Sequence, residues 1–408
     1  MTICPKPIFS SIDDVEKTRL VFYSSLNNES NNAHYVPRNL KRIFLWKGEG
    51  VYSDNGDLIS NNFFETLDTY SQKQSIVNPE GGIVVYLSFE ASYQIYKIEN
   101  PRKDFIYGFV YEYTSMDKYD YFTPLISSSL NLNGSPLSLS YNYHTPKNIY
   151  KNIFSQIKDS IYSGEVYQVN TGIKVSIHSS SPIHLLSVFL SSIKHNPSFY
   201  STYCNLPELK LVSSSPELLF SWENNKITTA PIAGTYAPGV YADILKFKDS
   251  SKEISEHLML VDLERNDLAK IKFASKVKVK SFATIEKTSS VSHLVSYIQA
   301  QLSEFLFSSV FPAIFPGGSI SGCPKYASLK YIKSLEVDIR NFYTGTIGFY
   351  NYKRNAKFNI LIRSIQMVEN DFIFHVGSGI VYDSNVSSEW EEIWQKAKPM
   401  YKTIFSIV

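Results

Sequence analysis

The 408-residue sequence contains little cysteine, no long apolar run and almost no excess of charge of either sign. Its three cysteines, Cys4, Cys204 and Cys323, are far apart and form no CxxC pair, so neither a disulfide framework nor a zinc site is indicated. No segment approaches the roughly 18 uninterrupted apolar residues of a membrane span, and the first residues lack a signal-peptide pattern. We therefore expect a cytoplasmic protein.

The formal net charge is +2, with acidic and basic residues interspersed along the chain. Such a chain has no sustained field that would attract nucleic acid or anionic lipid. Apolar residues make up 43% of the sequence, and aromatic side chains are abundant, with 29 Tyr and 26 Phe. This composition is typical of a folded globular protein and argues against a nucleic-acid or membrane-surface function.

Changes in composition along the chain indicate how it is organised. Apolar, β-rich segments at 81–89 and 105–111 lie in the first third, and a stretch rich in Ser, Asn and Pro follows them. We predict an N-terminal β-rich subdomain at 1–123, a connecting segment at 124–146 and a catalytic domain at 147–408.

The last two thirds of the chain combine helix and strand patterns without regular βαβ alternation. A helix is predicted from Lys147, with isoleucines four residues apart and Gly164 as its C-terminal stop. Further helices are predicted at 251–268, at 324–336 and, from a Ser388–Glu391 capping box, at 388–398. Strands are predicted at 210–222, 272–282, 344–352, 358–368 and 371–376. Together these patterns predict an α+β fold built on antiparallel sheets.

Two of the predicted helices carry acidic side chains in positions that permit ligand binding. Glu389, Glu392 and Lys396 share one helix face, since they are spaced i, i+3 and i+7. The helix at 251–268 adds further carboxylates, among them Glu256 and Glu264. Two interpretations are open at this point. These groups either hold a hard divalent cation together with an anionic substrate, or form solvated charged faces.

Glycine-rich segments offer weaker signals. Gly377-Ser378-Gly379 follows a predicted strand, and its backbone amides would let an anion approach closely. The glycines of FPGGSISG form tight turns on the simplest interpretation, and Lys325 has no assigned role.

Short motifs occur in a fixed order through the last two thirds of the chain. They are SPELLF, PIAGT, SEHLMLVDLERND, HLVS, FPGGSISGCPK, GTIGFY, NILIRS, GSGIVYDS and SEWEEIWQKA. In these motifs the sequence resembles the chorismate-utilising enzymes, which include anthranilate synthase component I, aminodeoxychorismate synthase component I, isochorismate synthase and salicylate synthase. The resemblance covers about residues 145–403 and implies the fold of anthranilate synthase component I, an antiparallel β-sandwich core flanked by helices.

The resemblance also implies roles for individual residues. It makes Glu256 and Glu392, helped by Glu389, the shell of a Mg²⁺ ion. It makes Glu217 the general acid that protonates the departing C4 hydroxyl of chorismate, and His293 a histidine that orients groups or moves protons. Without the family context, His293 is equally well explained as a hydrogen-bonded core residue. The residues that match substrate-binding positions are Gly234, Thr235, Tyr343, Arg363, Gly377, Ser378, Gly379 and Lys396.

Gln168 distinguishes this sequence from the members of the family that use water. Isochorismate and salicylate synthases carry a lysine general base at the matching position, and glutamine has no useful basicity. Ammonia needs no such base. The resemblance therefore implies a chorismate aminase, supplied with ammonia by a separate glutamine amidotransferase subunit.

Ala233, in PIAGT, bears on the product. Aminodeoxychorismate synthases carry a lysine there that attacks C2 first, whereas anthranilate synthases carry alanine. The leading hypothesis is C2 amination with pyruvate elimination, which gives anthranilate. The alternative is aminodeoxychorismate, a precursor of p-aminobenzoate and folate, because YQVN and FPGGSIS look more like its synthases. Two further hypotheses remain. The protein either forms isochorismate or salicylate, or is a catalytically inactive relative of these enzymes.

Overall fold

The computed structural model describes residues 18–23, 34–119, 138–236, 251–287 and 292–407. Two large β-sheets lie at its centre, and every pairing between their strands is antiparallel. The ten-stranded sheet contains β1 (Leu20–Tyr23), β2 (His34–Arg38), β8 (Ser115–Tyr119), β9 (Leu139–Tyr143), β10 (Gln168–Ser179), β11 (Tyr200–Leu206), β12 (Leu209–Ser215), β18 (Gly322–Cys323), β21 (Ser364–Val368) and β22 (Asp371–Ile380).

The twelve-stranded sheet contains β3 (Lys41–Lys47), β4 (Gly50–Ser53), β5 (Leu58–Ser60), β6 (Gly82–Leu87), β7 (Ile106–Tyr113), β13 (Leu218–Glu223), β14 (Lys226–Ala230), β15 (Ile232–Tyr236), β16 (Ala274–Lys287), β17 (Ser292–Leu302), β19 (Thr346–Asn351) and β20 (Asn355–Ile360). The helices of the described residues are α1 (Phe63–Val77), α2 (Ala91–Ile95), α3 (Lys147–Tyr162), α4 (Leu185–His195), α5 (Ser251–Lys270), α6 (Phe307–Ile314), α7 (Gly318–Ser321), α8 (Lys325–Leu335) and α9 (Val386–Phe405). None of these helices is both long and apolar enough to cross a membrane.

The two sheets pack face to face around a shared apolar layer. Leu211 and Cys204 from the ten-stranded sheet are buried in one cluster with Val84, Phe109 and Ile347 from the twelve-stranded sheet. The alternation of side chains along each strand sends the neighbouring residues to the outer faces, which the helices cover. The predicted fold class, α+β with antiparallel sheets and flanking helices, is therefore confirmed.

The helices bury their apolar stripes on the outer faces of the sheets. In α3, Ile153, Ile157 and Ile161 are buried as the four-residue spacing predicts, whereas Ile149, the first isoleucine of the series, is 37% exposed in the first turn. Gly164 follows the helix with a left-handed φ of 79°. In α9, the aromatic ring of Tyr401 packs edge-on against Phe374 of β22, with centroids 5.4 Å apart.

Two of the predicted strands are wrong in their extent, because each is really two strands in different sheets. The segment predicted at 210–222 divides into β12 and β13, and the segment predicted at 358–368 divides into β20 and β21. Where the chain passes from one sheet to the other, the residues before and after the change are both apolar and buried. The hydrophobic pattern therefore does not reveal where the chain changes sheets.

The start of helix α9 differs from the prediction. The capping box predicted at Ser388 is wrong, since α9 begins at Val386 and the side chain of Asn385 accepts a hydrogen bond from Ser387 N–H at 2.9 Å.

Strands from the first third of the chain extend both sheets, with β1 beside β11 and β6 beside β19. Part of the connecting segment predicted at 124–146 lies outside the described residues, and the predicted domain boundaries stay a prediction.

Candidate active site

The centre of the candidate site is the place where two chain segments pass from one sheet to the other. Glu217 lies between β12 and β13, and Arg363 lies between β20 and β21. Hydrogen bonds tie the segments together, since Ile360 N–H donates to the Glu217 carbonyl and Ser214 N–H donates to the Arg363 carbonyl, both at 3.1 Å. These bonds bring a carboxyl and a guanidinium from distant parts of the sequence to one point of the fold.

Glu217 is buried, with only 5% of its surface exposed. Its Oε1 accepts a hydrogen bond from the Ser319 hydroxyl at 2.7 Å. Burial raises the pKa of Glu217 to about 7, although the Ser319 hydrogen bond and the positive charges of Lys396 and Arg363 oppose the rise. A carboxyl that still holds its proton near neutral pH suits the predicted role of general acid.

Arg363 presents a positive charge to the same region. Its backbone has a left-handed φ of 49°, which few residues other than glycine adopt, and its Nη1 donates to Asn196 Oδ1 at 3.5 Å. Burial lowers the pKa of Arg363 to about 10, and the charge of Glu217 partly offsets this. The guanidinium therefore remains protonated at neutral pH and has the planar donor geometry that recognises a carboxylate.

The predicted glycine loop is part of a strand, because β22 continues past residue 376 to Ile380. Gly377 lies opposite Gly172 of β10, and Gly379 lies opposite Asn170. A Cβ atom on Gly379 would come within 2.6 Å of Gln168 Nε2, and one on Gly377 would come within 2.8 Å of the Tyr343 hydroxyl. The absence of side chains at both positions lets Gln168 and Tyr343 lie directly over the strand.

Ser378 has the opposite orientation from the two glycines that flank it. Its hydroxyl lies 3.5 Å from the Tyr150 hydroxyl of α3, on the helix-covered face of the sheet. This placement follows from the two-residue period of the strand. The structure thus groups Gly377 and Gly379 with Gln168 and Tyr343, and sets the Ser378 side chain apart from them.

Tyr343 is held in a dense aromatic and cationic environment. Its ring stacks on His375 with centroids 5.2 Å apart, and the Arg340 guanidinium lies 5.5 Å from its centroid. Arg340 is itself buried and donates to Glu336, to the Asn170 carbonyl and to the Ile320 carbonyl. Arg340 therefore connects β10, α7 and α8 around the site.

Helix α9 contributes the exposed edge of the site. Lys396 Nζ lies 2.7 Å from Glu392 Oε1 and donates to the Gly377 carbonyl at 3.2 Å. Glu389 is partly buried, and its Oε2 has no hydrogen-bond partner among the residues that the structure describes. The shared face predicted for Glu389, Glu392 and Lys396 therefore borders β22.

Glu256, the third predicted Mg²⁺ ligand, is partly buried on α5. Within the described part of the chain, no three His, Cys, Asp or Glu side chains converge closely enough to hold a metal ion. The donor set nevertheless fits the predicted ion in its chemistry, because Mg²⁺ prefers carboxylate oxygens and the buried Glu389 oxygen lacks a partner. The Mg²⁺ shell stays a prediction.

His293 lies on β17 beside the PIAGT strand. The register of β15 and β17 places Thr235 opposite His293 and Ala233 opposite Leu294. His293 is buried, with 1% exposed. For Ala233, Gly234 and Thr235 the side chains lie outside the described part of the structure, so their predicted roles stay predictions.

Sequence reasoning missed the roles of two residues that support the site. Ser319 was included only in a turn motif, yet its hydroxyl holds Glu217. Lys325 had no assigned role, and its buried ammonium pairs with Asp267 at 2.6 Å and donates to the Ile314 carbonyl at 2.8 Å. The lysine in SGCPK, which follows a proline at a helix start, was the available signal for this contact between α8 and α5.

The sequence model of the chorismate binding enzyme family matches residues 41–402. The chain belongs to this family.

Two curated members of the family are similar to the chain over much of its length. It is 37% identical to aminodeoxychorismate synthase component 1 of Bacillus subtilis over 255 residues. The aligned segment covers 61% of this chain and 54% of that protein. It is 38% identical to anthranilate synthase component 1 of Saccharolobus solfataricus over 271 residues. That aligned segment covers 65% of this chain and 64% of that protein. The matched segments thus span between half and two thirds of these relatives.

A solved structure of the family shares the fold. Anthranilate synthase component I from Streptococcus pneumoniae superposes with a TM-score of 0.75 at 23% identity, over 92% of this chain and 93% of that one. At this identity the likeness establishes the architecture alone, and the predicted anthranilate synthase component I-like fold is confirmed.

Proposed function

We propose that the chain catalyses the amination of chorismate by ammonia, and that the product is anthranilate. The observation that carries the proposal is the placement of a buried, protonatable carboxyl, Glu217, and the charged guanidinium of Arg363 on two sheet-crossing segments whose backbones are tied by hydrogen bonds. Chorismate carries two carboxylates and a C4 hydroxyl that must leave as water. The site offers positive charge for the carboxylates and a proton for the hydroxyl.

In the proposed reaction, ammonia attacks C2 and the ring electrons shift toward C4. The Glu217 carboxyl gives its proton to the C4 oxygen, which departs as water. Loss of a proton from the new ammonium and elimination of pyruvate then give the aromatic ring. The net reaction converts chorismate and ammonia into anthranilate, pyruvate and water. Arg363 and Lys396 would hold the carboxylates in place while these bonds change.

Gln168 supports ammonia as the nucleophile. Its side chain lies beside Gly379 on the sheet face that also carries Gly377, and it is buried. A neutral amide orients an incoming nucleophile by hydrogen bonding but does not deprotonate water. Glutamine at this position therefore favours amination over isochorismate or salicylate formation.

Mg²⁺ belongs to the proposal as the cofactor. Glu256, Glu389 and Glu392 would hold the ion, which when bound neutralises charge on the substrate carboxylate. The ammonia would come from a separate glutamine amidotransferase subunit, a suggestion supported by the designation "component 1" of both curated relatives.

A second candidate product is aminodeoxychorismate. It is favoured by the similarity to aminodeoxychorismate synthase component 1 of Bacillus subtilis. Incubation of the chain with chorismate, Mg²⁺ and an ammonium salt, followed by mass analysis, separates the candidates. Anthranilate supports the leading proposal and aminodeoxychorismate the second. Isochorismate or salicylate would contradict the inference from Gln168, and the absence of turnover would favour a silent relative.

Ala233→Lys tests the product assignment at a single position. An amine at 233 would compete with ammonia for C2, so we expect the yield of anthranilate to fall and aminodeoxychorismate or a covalent adduct to form. Product analysis by mass measures this. Ala233→Met is the matched control, because it adds similar bulk without an amine and should only slow the reaction. Wild-type product at wild-type rate from the lysine variant would contradict a position of residue 233 near C2.

A further inference from the structure

A small polar pocket lies beside the candidate site, between the ten-stranded sheet and the segment that joins α8 to β19. It has room for about one water-sized molecule. Strands β10 and β22 form its floor, and a residue just before α3 closes one side. The polar side chains that line it are Thr145, Lys174, Glu336, Asp338, Tyr343 and His375.

The pocket borders the candidate site along strand β10. Gly172 lines the pocket and is the register partner of Gly377. Tyr343 belongs to both places, since it lines the pocket and its hydroxyl lies over Gly377. Side chains two residues apart on a strand share a face, so Gln168 projects from the same face of β10 as Lys174. A small molecule in the pocket is therefore next to the groups predicted to hold the substrate.

Three buried polar side chains of the pocket lack hydrogen-bond partners. Thr145, Tyr343 and His375 are only 3%, 5% and 6% exposed. Within the ranges that the structure describes, no group bonds to the two hydroxyls or to either ring nitrogen of the histidine. Buried polar groups are nearly always satisfied, either by the protein or by a small bound molecule. These three groups therefore point to a small polar ligand.

The charges around the pocket balance one another. Glu336 pairs with Arg340 at 2.7 Å, and Asp338 Oδ1 lies 3.7 Å from Lys174 Nζ. Burial lowers the pKa of His375 well below its usual value, and the nearby positive charges add to this, so the ring is neutral and one nitrogen accepts a hydrogen bond. A pocket with balanced charge suits a neutral ligand better than an ion.

The hydrogen-bonding groups match ammonia. Asp338 Oδ2 is buried and has no partner in the described part of the chain. Together with the Thr145 oxygen and a His375 nitrogen it supplies three acceptors, and the Tyr343 hydroxyl supplies a donor. Ammonia has three N–H donors and one lone pair, whereas water has two of each.

We propose that this pocket is the ammonia-binding site of the enzyme, from which ammonia passes Tyr343 to reach chorismate. The inference rests on the proposed function, because it names the place where the nucleophile of that reaction is held. The side chains of Lys174 and Asp338 are each 22% exposed, so the pocket is reached from the protein surface.

The kinetic test is Thr145→Val, which removes one acceptor and keeps the shape of the side chain. The KM for ammonia should rise about three- to ten-fold. The kcat at saturating ammonia and the KM for chorismate should stay within about two-fold of wild type. Thr145→Leu fills the pocket and should raise the KM for ammonia further.

Thr403→Val is the matched control, since it removes a buried hydroxyl from α9 and should change neither KM. An unchanged KM for ammonia in Thr145→Val and Thr145→Leu would overturn the proposal. An equal rise in the KM for chorismate would also overturn it, because the pocket would then serve the larger substrate.

Binding without turnover is measured by NMR of the protein with isotopically labelled histidine, in the absence of chorismate. The His375 resonance, assigned by its loss in His375→Gln, should shift on titration with ammonium chloride. It should not shift with potassium chloride at the same ionic strength, and the response should be lost in Thr145→Leu. An equal response to potassium chloride, or no response to ammonium chloride, would contradict an ammonia site.

The two measurements separate this proposal from the proposed function. If no aminated product forms from chorismate, the proposed function fails, while the titration still decides whether the pocket binds ammonia. If Thr145→Leu does not fold, the titration is made with Thr145→Val. An affinity of Thr145→Val for ammonia equal to that of the wild type would then overturn the site.

Discussion

Two lysine–carboxylate ion pairs near the candidate site have almost the same geometry and very different surroundings. Lys325 and Asp267 are 2.6 Å apart, with 6% and 3% of their side chains exposed. Lys396 and Glu392 are 2.7 Å apart, with 44% and 51% exposed. The distances between the charged atoms do not distinguish the two pairs, whereas the burial of the side chains does. The buried Lys325–Asp267 pair holds two helices together, and the exposed Lys396–Glu392 pair is accessible to a ligand.

The difference follows from the cost of removing charge from water. A buried pair is tolerated only while both partners remain, because the loss of one leaves the other desolvated and uncompensated. An exposed pair gains little from its contact, so its members exchange partners easily. The buried pair joins α8 to α5 behind the site, and the exposed pair lies on α9 at its edge.

The largest expected effect is at the buried carboxyl of Glu217. Glu217→Gln removes the proposed acid while it keeps the shape of the side chain, so we expect kcat to fall roughly 10²- to 10⁴-fold. Steady-state kinetics with chorismate and ammonium salt measure the loss. Glu223→Gln, at the exposed end of β13, is the matched control. Activity of Glu217→Gln within a few-fold of wild type would remove Glu217 from the mechanism.

The same carboxyl predicts the direction of the pH dependence. Its pKa is raised to about 7, and the proposed role needs the protonated form, so activity should decline as the pH rises through that value. The raised pKa also means that the folded state binds this proton more tightly than the unfolded state. The contribution of Glu217 to the free energy of unfolding is therefore full below pH 4.5 and is lost as the pH rises through about 7.

Lys325→Met tests the buried side of the comparison. It leaves Asp267 buried with only its exposed partner Lys270, so we expect the free energy of unfolding to fall by about 3 kcal/mol. Chemical denaturation measures the change. Lys330→Met, an exposed change on the same helix, should stay within about 0.5 kcal/mol of wild type. Equal effects of the two variants would mean that burial does not distinguish these lysines.

Glu392→Gln tests the exposed side, where the smallest effect on stability is expected. The free energy of unfolding should change by less than about 1 kcal/mol, because the pair with Lys396 is half exposed. The Mg²⁺ concentration that gives half-maximal activity should rise about ten-fold. Glu391→Gln, its exposed neighbour on α9, is the control. An unchanged Mg²⁺ requirement would argue against Glu392 as a ligand.

Local patterns in the sequence predicted much of the fold. The isoleucine spacing of α3 and the proline at the start of α8 identified both helices, since these signals act over a few residues. The sheet crossings at Glu217 and Arg363 were not predicted, because the chain stays buried as it changes sheets. Ser319 was missed for a related reason, as its partner Glu217 is 102 residues away.

The sequence by itself determined the helices, the antiparallel class of the fold and, through ordered motifs, the family. Only the tertiary structure decided which charges are buried, and with them the contrast between Lys325 and Lys396. Periodicity and capping depend on neighbours along the chain, which the sequence records directly. The energy of a charge depends on the dielectric around it, and that is set by distant segments that meet only in the folded protein.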